Sequence, residues 1–160
     1  DFQTLGLKPG DIVTLVGKRG EYKGAAQMTG GQHEDHISVT EVTIAEFLSK
    51  PDDKNTYYMV TGTIQDLLDN KGKENVYGNL HLTDGTNELY VYGCYPGYGA
   101  TGDNRKNFIA NAGIQVGDQL TMIGYKDTYN GLIELCGGTI RVESQKGRGT
   151  VFTVFFNTNE

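Results

Sequence analysis

Tryptophan is absent from this chain, proline occurs three times and cysteine twice. Two cysteines, Cys94 and Cys136, are too few for a disulfide scaffold, and their separation matches neither a zinc-binding pair nor a thioredoxin-type redox motif. Positive charge is also short. Fourteen Lys and Arg stand against 20 Asp and Glu, for a formal net charge of −6. That balance argues against the broad electropositive surface of a tight nucleic-acid binder and leaves only a local basic patch open. No apolar run approaches the ~20 residues of a membrane helix, which excludes a helical span. The chain begins at Asp1 without methionine or a charged-plus-apolar leader, so a processed or truncated product is expected.

Catalytic signatures are missing too. There is no acyl-transfer elbow, P-loop, dinucleotide fingerprint or HExxH, and the glycines punctuate strands instead of joining a strand to a helix. A cysteine nucleophile needs a base, and no spacing brings His33, His36 or His81 to Cys94 or Cys136. Metal binding by the HEDH run of His33 to His36 requires its ligands on one side of a folded turn, and a polar junction is the simpler reading. The expectation is a protein that is not an enzyme and carries no cofactor and no metal.

What is present in excess is glycine, 23 of 160 residues, about twice the usual share of ~7%. Many turns follow. With 37% hydrophobic and 21% charged residues the composition is that of a folded soluble protein, long enough for one domain, or one domain and a fragment.

Many of those glycines lie in an internal repeat with an offset of 107 residues. LGLKPGDIVTLVGKRGEYKGAAQMTGG from Leu5 and AGIQVGDQLTMIGYKDTYNGLIELCGG from Ala112 align without gaps. They share Gly10/Gly117, Asp11/Asp118, Thr14/Thr121, Gly17/Gly124, Tyr22/Tyr129 and Gly24/Gly131. Apolar Val13, Leu15 and Val16 stand opposite Leu120, Met122 and Ile123, so both segments read as copies of one hairpin. If the second copy closes a module, three parts follow: 1–36 is a partial repeat, 37–144 a complete module and 145–160 a C-terminal strand or tail. The alternative is that 1–36 is a native accessory hairpin of one larger domain. In either case an isolated hairpin is marginal in water and requires a packing partner.

Along the complete module, TIAEFL at 43–48 predicts a short capped helix ended before Pro51. Alternation predicts a strand from Thr56 to Leu68, a loop at 69–75, a strand from Val76 to Asp84, a DGTN turn and a return strand from Glu88 to Gly93. Leu80, Leu82, Leu89 and Val91 fall on one face; Tyr77, Asn79, His81, Tyr90 and Tyr92 fall on the other. A Gly-rich loop at 95–101 and a short helix at 104–111 precede the repeated hairpin.

The order strand, strand, strand, helix, strand, strand resembles the OB-fold, a five-stranded Greek-key barrel. TIAEFL, YYMVTGTI, VYGNLHLTDGTNELYVYG and GIQVGDQLTMIG are together similar to the OB-fold modules of bacterial cell-surface and secreted proteins, over about 37–144. The resemblance implies an all-β chain with an OB-like barrel, short helices, an extra N-terminal β-hairpin and a C-terminal strand. It also implies a noncatalytic binding or assembly module in an extracytoplasmic setting. In such a barrel strands three and five are neighbours, so Cys94 and Cys136 approach each other, although two unlinked thiols is the plainer reading. A second resemblance covers GGTIRVESQKGRGTVFTVFF at 137–156, which is similar to the last strand pair of sensor histidine kinase ATP-binding domains. The asparagine-bearing helix and the aspartate-glycine nucleotide loop of that family have no counterpart upstream, so an ATPase reading fails. Val151, Val154, Phe155 and Phe156 are instead expected to form an end strand packed on the N-terminal hairpin.

The candidate ligand face is Tyr77, Asn79, His81, Tyr90 and Tyr92, joined by Tyr95, Arg105 and Lys106, because strands two and three carry the usual OB-fold ligand surface. Aromatic faces stack on bases and sugar rings alike, each base stack being worth ~1–3 kcal/mol. Lys71, Lys73, Arg105 and Lys106 can meet phosphates, but Asp66, Asp69, Glu74, Glu88 and Asp103 largely cancel them. Cross-strand tyrosines also stabilise sheets with no ligand at all. A glycan or protein partner is therefore the leading expectation, and single-stranded nucleic acid, disfavoured by the acidic charge, is the alternative. Tyr95 and Tyr98 can form a lid or an ordinary turn. The unpaired hairpin also invites homo-oligomer formation by exchange between chains.

Overall fold

The computed structural model describes residues 2–8, 10–97 and 99–140. A 3-10 turn at Phe2–Leu5 is followed by β1 (Ile12–Tyr22), β2 (Ala25–Ile37), β3 (Val39–Glu41), α1 (Ile44–Ser49) and β4 (Asp53–Asp66). Next come β5 (Leu80–Thr83), β6 (Glu88–Tyr95), a 3-10 turn at Gly102–Arg105, α2 (Phe108–Asn111), β7 (Gln119–Tyr129) and β8 (Leu132–Ile140). The chain is mostly β, as expected. The expected end strand at Val151–Phe156 and the Tyr98 part of the lid lie outside the described residues.

Six strands form one sheet in the order β3-β4-β5-β6-β8-β7, and β4 also pairs with β7. Strands β4, β5, β6, β8 and β7 thus close into a ring of hydrogen-bonded pairs, antiparallel except for the parallel β6–β8 contact. Alternation explains its interior, since successive strand residues point to opposite faces. Val60, Leu80, Leu82, Leu89, Val91, Met122 and Leu135 are wholly buried. Each such side chain contributes ~1.5–3 kcal/mol of transfer free energy. Ile44 and Phe47 of α1 and Ile109 of α2 join the same core. Strand β3, parallel to β4, has no counterpart among the sequence expectations; three residues carry too little alternation to register.

Two boundaries differ from expectation for local reasons. The second strand of the ring begins at Leu80 instead of Val76, because the Asn75 side chain takes over the backbone groups before it. Its Oδ1 accepts from the amides of Tyr77 and Asn79, and its Nδ2 donates to the carbonyls of Leu67 and Asn79. The single helix expected at 104–111 is two short pieces, split at Asn107, whose φ of +57° is left-handed. The capped helix α1 forms as read, with Thr43 and Glu46 in a reciprocal capping box.

The two repeated hairpins share backbone geometry. Strands β1 and β7 are both 11 residues long, and the turns that follow have paired left-handed residues, Lys23–Gly24 at φ +52° and +81° and Asn130–Gly131 at +50° and +84°. Two consecutive positive φ values define the hairpin turn whose twist suits the flanking strands, and glycine supplies one at no steric cost. Register also agrees, with Lys18 opposite Thr29 and Tyr125 opposite Cys136. Even the entry turns match: the Lys8 amide donates to Asp11 Oδ2 at 2.9 Å, and the Gln115 amide to Asp118 Oδ2 at 2.8 Å. Their surroundings differ. Strands β7 and β8 are built into the ring, whereas among the described residues β1 and β2 pair only with each other.

Candidate functional site

Strand β6, the β4–β5 loop and the second 3-10 turn gather three tyrosines around one arginine. Tyr77 comes from the β4–β5 loop, Tyr92 and Tyr95 from β6, and Arg105 from the end of the second 3-10 turn. The Arg105 guanidinium carbon lies 5.0 Å from the Tyr77 ring centroid, 5.1 Å from that of Tyr92 and 5.7 Å from that of Tyr95. Contacts of this kind are worth ~0.5–1 kcal/mol each at exposed sites and more when desolvated. Gly93, at φ +83°, lies directly under the guanidinium, where a side chain would collide with it. Lys106 adds a second cation 5.7 Å from the Tyr77 ring. The Asp103 carboxylate bonds its ammonium at 2.8 Å and holds the Lys106 pKa above the usual lysine range.

Arg105 itself has no carboxylate partner among the described residues, and its Nε is buried without a hydrogen-bond acceptor. A guanidinium offers five donors in a fixed fork. Here the aromatic rings screen its faces but satisfy none of its N–H groups. Tyr77 and Tyr92 remain open, at 39% and 45% exposure, so the cluster is accessible from solvent. The arrangement presents a cation with no ion pair among the described residues, set between stackable rings on a chain of net charge −6.

The remaining expected residues are placed differently. Tyr90 is only 3% exposed, so it offers no open ring: it packs 5.1 Å from the His81 ring. Burial pushes its phenol pKa up, partly offset by a hydrogen bond from the Asn70 backbone. Asn79 is likewise buried, at 9% exposure, and Asn75 binds both its backbone amide and its carbonyl. Its Oδ1 is buried without a partner, and it lines a separate concavity of about 320 Å³ with Leu67, Val76, Asn107, Ile109 and Ile114. His81 is engaged by carboxylates, its Nδ1 lying 2.8 Å from Asp66 Oδ1 and its Nε2 4.0 Å from Glu88 Oε1. Of the eight residues, Tyr77, Tyr92, Tyr95, Arg105 and Lys106 form one cluster, and Asn79, His81 and Tyr90 do not belong to it.

Cys94 and Cys136 are both free and buried, and burial pushes each pKa up to about 12. Cys94 contacts the Met122 sulfur at 3.8 Å, and Cys136 donates to Glu134 at 3.7 Å. His33 Nε2 and His36 Nδ1 lie 3.1 Å apart and bond each other, and among the described residues no three His, Cys, Asp or Glu side chains gather as metal ligands.

Two contributors were not singled out in the sequence: Gly93, which makes room for Arg105, and Asn75, which shapes the loop presenting Tyr77. Asn75 carried a signal, because asparagine in a Gly-containing loop commonly bonds the backbone ahead of it. Gly93 carried none beyond a glycine at the end of a strand. No protein-family model and no curated protein matches the chain.

Proposed function

We propose that residues 37–144 form a noncatalytic OB-fold binding module of an extracytoplasmic protein, and that its ligand is a glycan or protein segment carrying an acidic group. The observation that carries this reading is Arg105, a guanidinium held among Tyr77, Tyr92 and Tyr95 with no ion pair among the described residues. Closure of β4-β5-β6-β8-β7, with a short helix between β6 and β7, supports the OB-type assignment. Exposed rings suit the faces of sugars, and the unpaired fork suits a carboxylate, which it can take in a bidentate grip. Asp103 and the net charge of −6 make an extended polyanion a poorer fit than a single acid on a mostly neutral ligand.

Single-stranded nucleic acid is the second reading, favoured by the two cations beside the Tyr77 ring. Tyrosine fluorescence titration separates the two. The probes are a uronic-acid oligosaccharide, its carboxyl-reduced neutral counterpart and a short single-stranded oligonucleotide, each at low and moderate salt. Quenching by the acidic sugar that is lost in Arg105→Gln is the expected result. Quenching by the oligonucleotide alone, with a steep salt slope from counterion release, transfers the site to the second reading. Quenching that survives Arg105→Gln overturns both uses of the cluster.

A further inference from the structure

The repeat places identical positions in unlike environments. Leu15, Val16 and Met28 of the β1–β2 hairpin are 38%, 58% and 40% exposed, while their equivalents 107 residues on, Met122, Ile123 and Leu135, are 0%, 8% and 0% exposed. The difference lies in neighbours, since β7 is flanked by β4 and β8 by β6, and among the described residues β1 and β2 have no outer strand. A hairpin patterned for burial thus has no strand on either edge among the described residues, and two strands alone are marginal in water. Exchange of this hairpin into another chain's ring is disfavoured, because β7 and β8 already occupy the β4 and β6 edges.

Charge identifies a better occupant. Between Ile12 and Ile37 the hairpin carries Lys18, Arg19 and Lys23 against Glu21, Glu34 and Asp35, so it is neutral within a chain of net charge −6. The signs are segregated along its length. All three cations and Glu21 lie toward the turn, while Glu34 and Asp35 lie at the base, with Asp35 opposite Thr14. A second hairpin laid parallel would put like charges side by side; laid antiparallel, it sets each basic tip against the other's acidic base. We infer that the β1–β2 hairpin is a self-association surface, through which two copies of this chain pair antiparallel about a two-fold axis and cover Leu15, Val16 and Met28. Such an isologous pairing completes a four-stranded unit, above the two strands that are marginal alone.

The test is sedimentation velocity on the full chain from micromolar to millimolar concentration. A concentration-dependent dimer is expected, weakened by added salt because the charged ends are exposed. Val16→Asp should raise its dissociation constant by about tenfold or more. Two charge-reversed chains provide a control that does not depend on the packing variant. Lys18→Glu/Arg19→Glu makes both ends of the hairpin acidic, and Glu34→Lys/Asp35→Lys makes both basic. Each alone should dimerise less than the wild type, and their mixture should form a heterodimer. A wild-type chain that stays monomeric to millimolar concentration overturns the proposal, as does a dimer indifferent to Val16→Asp or a mixture without heterodimer.

Discussion

Gly93 and Arg105 are built around each other: a Cβ on Gly93 would lie 2.5 Å from the Arg105 Nη1 atom and 3.1 Å from its Cδ. The φ of +83° at Gly93 further restricts the position to glycine. Gly93→Ala should therefore cost about 1–3 kcal/mol in urea unfolding, from left-handed strain and displacement of the guanidinium off its three rings. The two parts separate in a double-mutant cycle. In an Arg105→Ala background the same glycine substitution should cost less, because only the backbone strain remains. Equal costs in both backgrounds would mean that the arginine does not depend on the glycine.

That pairing shows where sequence reasoning stops. Alternation is enough to find three of the five ring strands, because Leu80, Leu82, Leu89 and Val91 repeat at the period of a pleated sheet and fill one interior, while the repeat marks the other two. The Thr43–Glu46 cap was legible for the same reason: its geometry is local and spans four residues. Tyr90 and Asn79 share the outward parity of Tyr92, yet both are buried, because what covers them comes from elsewhere in the chain. Near Tyr90 stand the His81 ring and the Asn70 backbone, and Asn79 is held by Asn75. Parity assigns a face but not what lies over it. From sequence Arg105 is a flanking phosphate contact, and neither its place among three rings nor the left-handed break at Asn107 is announced by any periodicity.

The two thiols provide a test of burial. At pH 8 a thiol with pKa about 12 holds roughly a thousandfold less thiolate than one at the ordinary value of 9.0. Thiolate is the reacting species, so Cys94 and Cys136 should be silent toward a disulfide reagent such as DTNB in the native protein. Both should react in denaturant. Reaction of one equivalent in native buffer would show that its strand opens on the time scale of labelling.

Helix α1 contributes Ile44 and Phe47 to the core, so its start determines more than its own six residues. Thr43 Oγ1 accepts from the Glu46 amide at 3.2 Å, and Glu46 Oε2 accepts from the Thr43 amide at 2.8 Å. Thr43→Ala should destabilise the chain by ~1 kcal/mol, and Thr43→Asp should recover most of that loss. Chemical denaturation of the two variants measures the difference, and an alanine variant as stable as the parent would mean that packing alone fixes the helix start.

Glu134 should respond to pH in the opposite sense to six other carboxylates. Asp11, Glu46, Asp53, Asp69, Asp84 and Asp127 have lowered pKa values, the first five chiefly from hydrogen bonds to backbone amides or hydroxyls and Asp127 from Lys54. Their contribution is present above the ordinary carboxylate range and is lost as pH falls through the depressed values. Glu134 is 5% exposed, and burial raises its pKa, opposed by the hydrogen bond from Cys136 and reinforced by Asp127. A carboxyl that holds its proton more tightly when folded stabilises the fold most below its unfolded pKa of 4.5, and this contribution declines as pH rises through the folded value. Glu134→Gln keeps an oxygen to accept from Cys136 and cannot ionise. It should therefore unfold at a higher urea midpoint than the parent at pH 7, with the advantage vanishing near pH 3.5. A glutamine variant that is less stable at neutral pH would show that the ionised carboxylate is held by interactions that outweigh its burial.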